Sequence, residues 1–138
     1  MKNYLLKSFF KIIFTAYTFV YAQSPPVGND ISLDTNEDIT LNITLTATDP
    51  DGDSLGFAIV NGSANGALSA LTTVNDTAAS TIYTPNQDYY GFDSFTFSIT
   101  NTSGLSDTAE VSITVTAVDD APLVSNALSD IVVDEDAN

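Results

Sequence analysis

From Ile39 to Ala47 apolar and polar residues alternate without a break: Ile39, Leu41, Ile43, Leu45 and Ala47 fall on one side, Thr40, Asn42, Thr44 and Thr46 on the other. The same rhythm returns where Phe95, Phe97 and Ile99 alternate with Ser94, Thr96 and Ser98, and where Ala109, Val111, Ile113, Val115 and Ala117 alternate with Glu110, Ser112, Thr114 and Thr116. Side chains of a strand point to opposite faces in turn, so a period of two with one wet side predicts half-buried antiparallel strands. No segment after residue 22 carries a helical period, and Thr, Val and Ile fill the runs, as pleated surfaces favour. The pattern predicts an all-β body.

Shorter runs at Ile31 to Leu33, Leu55 to Val60, Ala67 to Leu71 and Ser80 to Tyr83 bring the expected number of strands to seven. Asp51-Gly52, Asn61-Gly62, Asn65-Gly66, Pro85-Asn86 and Ser103-Gly104 stand between them as turns. Seven short strands at this spacing suit a two-sheet sandwich. Ahead of the sixth strand, a tyrosine of the Tyr89-Tyr90 pair is expected to turn its hydroxyl onto nearby backbone, and Asp93 to cap the turn. Both roles are structural.

Charge then divides the chain. Lys2, Lys7 and Lys11 are its only basic residues, and all 18 Asp and Glu residues lie from Asp30 onward. The lysines precede the apolar run Ile12 to Val20, too short to span a bilayer and followed by the small-residue pattern Val20-Tyr21-Ala22. Residues 1–22 therefore read as a cleaved secretory signal, with no transmembrane span expected. Residues 23–120 form the sandwich. Over 121–138 a second, truncated repeat begins, because Ser129-Asp130-Ile131 followed by Asp134-Glu135-Asp136 echoes Asp30-Ile31 followed by Asn36-Glu37-Asp38. Cysteine is absent, so no disulfide staples the fold.

An anionic body without fixed counter-ions draws cations from solution. If the first strand descends, the turn with Glu37 and Asp38 lies at the bottom, the second strand climbs, and the Asp49-Pro50-Asp51-Gly52-Asp53 loop lies at the top near Asp30. The last strand descends too, bringing Asp119 and Asp120 beside Glu37. Calcium takes six to eight oxygen ligands in irregular geometry, whereas softer metals want the His or Cys that this chain lacks. Candidate calcium ligands are thus Asp30, Glu37, Asp38, Asp49, Asp51, Asp53, Asp119 and Asp120. The top loop is no EF-hand, since Ser54 stands at its sixth position and Val60 at its twelfth. An ordinary solvated turn is the plainer reading of the same residues.

In order along the chain, Pro25-Pro26-Val27-Gly28-Asn29-Asp30, Asn36-Glu37-Asp38, Ala47-Thr48-Asp49-Pro50-Asp51-Gly52-Asp53, Tyr83-Thr84-Pro85-Asn86, Gly91-Phe92-Asp93-Ser94-Phe95 and Val118-Asp119-Asp120-Ala121-Pro122 make a set of motifs. This set resembles one unit of the cadherin-like, immunoglobulin-like tandem repeats of large bacterial surface proteins and adhesins. The resemblance implies a Greek-key sandwich strung head to tail with calcium at its junctions. By position it makes Glu37 the basal glutamate, Asp49, Asp51 and Asp53 the apical aspartates, and Asp119 and Asp120 the linker acids, with Asp119 standing where the repeats carry Asn.

The expected function is an exported or surface-exposed calcium-binding structural and adhesion module, with neighbouring repeats as its first partners. Self-association and surface glycans are further partners to consider. The alternative is a carbohydrate-binding or spacer module of an exported polysaccharide-active enzyme, with Tyr89, Tyr90 and Phe92 as a stacking platform; their place at a strand entrance favours corner packing instead. Catalysis is not expected, because His and Cys are absent, no lysine follows the leader and no nucleophile-elbow serine is present. Nucleic acid is excluded as a partner by an anionic surface that repels phosphate. Asn-x-Ser/Thr triplets at Asn42, Asn61, Asn75 and Asn101 arise by chance in a Ser/Thr-rich chain.

Overall fold

Residues 22–119 are described by the structure, a computed structural model. The expected signal segment (all but its last residue), Asp120 and the second repeat lie outside the described residues. Nine strands form: β1 (Val27–Gly28), β2 (Ile31–Asn36), β3 (Leu41–Thr48), β4 (Leu55–Asn61), β5 (Gly66–Leu68), β6 (Thr72–Asn75), β7 (Ala78–Pro85), β8 (Gly91–Asn101) and β9 (Ser106–Thr116). One sheet has the order β1-β3-β7-β5, with β6 also on β7; the other has the order β2-β9-β8-β4. The all-β sandwich is as the alternation predicts.

The count rises from seven to nine because two strands form outside the expected runs, β1 ahead of Ile31 and β6 after Leu71. After two prolines the chain pairs with β3 at Val27 and Gly28, then crosses to the other sheet and joins β9 from Ile31. That crossing presses Gly28 onto the core, where a Cβ would stand 2.6 Å from Ile99 Cδ1 and 2.8 Å from Ala109 Cβ. The expected Ala67 to Leu71 run ends early, at Leu68, and Ser69 to Leu71 separates β5 from β6 along one edge of β7. Here Thr81 donates to the Ser69 carbonyl at 2.9 Å, so side-chain bonds replace part of the ladder. One pairing also departs from the antiparallel expectation: β2 runs parallel to β9 over six residue pairs, from Ile31 with Val111 to Asn36 with Thr116.

The inward residues are the alternating ones. Ile43 and Leu45 of β3, Tyr83 of β7, Phe95, Phe97 and Ile99 of β8, and Val111, Ile113 and Val115 of β9 are buried between the sheets. Each large apolar side chain buried this way contributes about 1.5–3 kcal/mol, which is how a chain without disulfides holds its fold. Two residues assigned to inward faces are instead exposed, because the strands end before them: Ile39 precedes β3 and Ala117 follows β9.

Candidate functional site

Strand directions define two poles. The entering chain, the β3–β4 loop and the β8–β9 loop share one; the β2–β3 turn, the β7–β8 loop and the departing chain share the other.

At the entrance pole Asp49 organises its own loop. Its Oδ1 accepts from the N–H of Asp51 at 2.9 Å and of Asp53 at 3.3 Å, and its Oδ2 accepts from Asn101 Nδ2 at 3.1 Å. Burial pushes the Asp49 carboxyl up, but the hydrogen bonds from Asn101 and from the loop's own N–H groups outweigh it, and the group titrates below the usual aspartate value. Asn101 is buried and fully engaged: it also donates to the Ser24 carbonyl at 3.0 Å, and its Oδ1 accepts from the N–H of Ser103 and Leu105. Ser24 N–H in turn donates to Asp51 Oδ2 at 2.6 Å. The incoming chain is therefore held on both edges of its backbone. Among the described residues, Asp53 Oδ2 is the buried side-chain oxygen left without a hydrogen-bond partner.

At the exit pole Glu37 is buried, its N–H donates to the Thr116 carbonyl at 2.9 Å, and its Oε1 accepts from the N–H of Val118. This puts Glu37 beside the departing chain, as the sequence argument expects. Asp38 adopts a left-handed turn conformation at φ 58° and accepts from the N–H of Asp88 at 3.2 Å. Asp119 is exposed. Asp30 joins neither group: its Oδ1 accepts from the Glu110 N–H at 2.9 Å, fixing the crossing between sheets. Asp107 does similar work on the Gly28 N–H at 2.9 Å. No group of three or more acidic side chains converges on one point among the described residues.

At the exit-pole end of β8, and missed by the sequence reading as a unit, is a fixed carboxylate. Asp93 is 7% exposed and accepts from four donors: Ala64 N–H and Asn65 N–H at 3.0 Å, its neighbour Ser94 N–H at 2.9 Å, and the Tyr83 hydroxyl at 2.8 Å. Burial, and then the adjacent Asp93 carboxylate, push the Tyr83 phenol well above its usual range. The expected tyrosine hydroxyl bond to backbone also forms, from Tyr89 to the Phe92 carbonyl at 2.7 Å. The expected corner packing fails for its neighbours: Tyr90 is 66% and Phe92 82% exposed, because both project outward from the entrance to β8.

Two β-sheets, a crossing first strand and terminal strands paired in parallel define an immunoglobulin-like sandwich. Residues 23–114 match the model of the bacterial Ig domain, and the chain belongs to that family. An endo-fucoidan hydrolase from glycoside hydrolase family 107 is similar in structure at 25% identity and TM-score 0.53, over 67% of this chain and 14% of that one. A second endo-fucoidan hydrolase of the same family is similar at 26% identity and TM-score 0.50, over 65% of this chain and 15% of that one. A PKD domain of an M14-like peptidase from a Thermoplasmatales archaeon is similar at 20% identity and TM-score 0.49, over 69% of this chain and 99% of that one. The chain thus spans about one seventh of the length of the hydrolases it resembles. Comparison with curated protein sequences gives no match. Among the described residues no helix is long and apolar enough to cross a membrane.

Proposed function

We propose that this domain is an exported spacer that transmits tension from one neighbour to the next in an extracellular multi-unit protein. The observation that carries this reading is the parallel pairing of β2 with β9 over six residue pairs. Pulling the entering and departing chain in opposite directions loads that whole ladder in shear, so its hydrogen bonds must fail together rather than one by one. The clamps on Ser24 and Val118 support the same reading, since each holds the chain where it would first peel away. Amide exchange tests the clamps: the Val118 N–H should exchange far more slowly than that of an exposed coil residue, and coil-like exchange would remove them.

Calcium is a finer part of the proposal. Glu37, Asp119 and Asp120 would bind it at the junction with a following repeat, leaving oxygens of that repeat and water to complete the shell. The partnerless Asp53 Oδ2 favours a second hard cation at the entrance pole, although Asp49 beside it is already occupied by hydrogen bonds. Extracellular modules bind calcium at about 0.1–1 mM. Titration to several times that level should raise the melting temperature, and an unchanged melting temperature would remove the ion while leaving the spacer. In an adhesin such junctions would stiffen the stalk that presents a distal binding unit.

The likeness to endo-fucoidan hydrolases at 25–26% identity favours a second reading, in which the spacer belongs to a polysaccharide-active exported protein. Catalysis is not assigned to the domain in either reading.

A further inference from the structure

The outward face of β8 and β9 is polar except at one position. Ser94 faces Ser112 and Thr96 faces Glu110 across the ladder, while Phe92 faces Thr114 and stands 82% exposed. Beside the ring lies an open depression of about 420 Å³. Ser94, Ser112 and Glu110 line it from the sheet, Ala64 and Asn65 from the turn before β5, and Phe92 from its end. The fold does not need that ring, because the core is filled by the opposite face of the same strand, at Phe95, Phe97 and Ile99.

The wall of the depression is fixed in advance. Asp93 holds the Ala64 and Asn65 N–H groups, both at 3.0 Å, and Gly66, lacking a Cβ, lets the turn settle against the Tyr83 ring. A rigid wall lowers the ordering cost of binding. The volume falls within the range of small-ligand sites.

We propose that this depression binds a segment of neutral glycan. A pyranose ring offers an apolar C–H face that stacks on an exposed aromatic ring and a rim of hydroxyls that bond to carboxylate, amide and serine side chains. Phe92 supplies the platform; Glu110, Asn65, Ser94 and Ser112 supply the polar partners. Charge decides the glycan class. With every basic residue of the chain at or before Lys11, the domain has no basic side chain with which to receive sulfate or uronate groups, and Asp93 and Glu110 make the lining of the depression anionic. A binding domain of this composition repels a sulfated chain, so its ligand is uncharged. The proposal deepens the second reading, in which the spacer serves a polysaccharide-active protein.

An array of neutral oligosaccharides (β-glucan, xylan, mannan and galactan series) beside sulfated and uronate-bearing ones tests this. The wild-type domain should bind at least one neutral series and no anionic series. Phe92→Ala and Glu110→Gln should each weaken that binding at least fivefold with the melting temperature unchanged, while Tyr90→Ala, outside the depression, should retain it. No binding to any neutral series, binding confined to anionic series, or a Phe92→Ala variant that binds as well as wild type would each overturn the proposal. The spacer is read separately, by mechanical and exchange measurements, and stands even if no glycan binds.

Discussion

The Tyr83 hydroxyl donates to Asp93 Oδ2 at 2.8 Å across the sandwich, joining β7 of one sheet to β8 of the other. Buried carboxylates are stable only when their oxygens are well supplied with donors, and Asp93 has four. Asp93→Asn turns an amide nitrogen toward donors that expect an acceptor. It should cost about 3 kcal/mol, and Tyr83→Phe about 1–2 kcal/mol, in equilibrium denaturation. Equal, negligible costs would mean that the bond does not hold the sheets.

The same pair sets an alkaline limit. The phenol of Tyr83 has its pKa raised by burial and then by Asp93, so the folded state holds the proton more tightly than the unfolded chain. That contribution is complete below the unfolded value near about 10 and is lost as pH rises beyond it. Stability should therefore fall above about pH 10 in wild type and fall less in Tyr83→Phe.

Asp49 acts in the opposite direction. Its folded pKa lies below the unfolded value because the bonds from Asn101 and the loop N–H groups outweigh burial, so its contribution is present above the unfolded value and lost as pH falls through the folded one. Acid titration below about pH 4 should show wild type losing more stability than Asp49→Asn. Identical acid profiles would contradict the role given to the loop bonds.

Gly66 is a steric test of the turn that Asp93 holds. A Cβ there would meet the Tyr83 ring and stand 2.7 Å from the Thr84 carbonyl oxygen, which is backbone and cannot yield. Gly66→Ala should destabilise by about 1–3 kcal/mol in chemical denaturation, as overpacked cores do.

Glu37→Gln keeps the shape of the side chain but removes its charge, weakening the acceptor for the Val118 N–H. The loss should be about 1 kcal/mol, with faster exchange confined to the exit pole.

Alternation in the sequence revealed the strands that became β3, β8 and β9, because one face of each is dry and the other wet. It could not reveal the crossing between β1 and β2, which depends on the close approach of Gly28 to Ile99 and Ala109, residues 71 and 81 positions away. Direction along the strands was enough to bring Glu37 to the departing chain. The hydrogen bonds that the acids make at the two poles were not legible: Asp49, Asp51 and Glu37 read as metal ligands by type, and in the fold their nearest partners are backbone N–H groups of loops and chain ends. Asn101 stood out only as a glycosylation triplet, and its 5% exposure shows it to be a buried bracket. Tyr83 and Asp93 are ten residues apart on different sheets, a pairing that no local pattern encodes.

Single-molecule stretching of the domain in two directions tests the spacer most directly. Pulled through the entering and departing chain, it should resist with a force several times that needed when it is pulled through the entering chain and Ser54, both at the entrance pole, which draws the edge strand β4 sideways from its Leu55 end and peels it from β8 one bond at a time. Equal forces in the two directions would contradict the shear geometry of β2 and β9 on which the account rests.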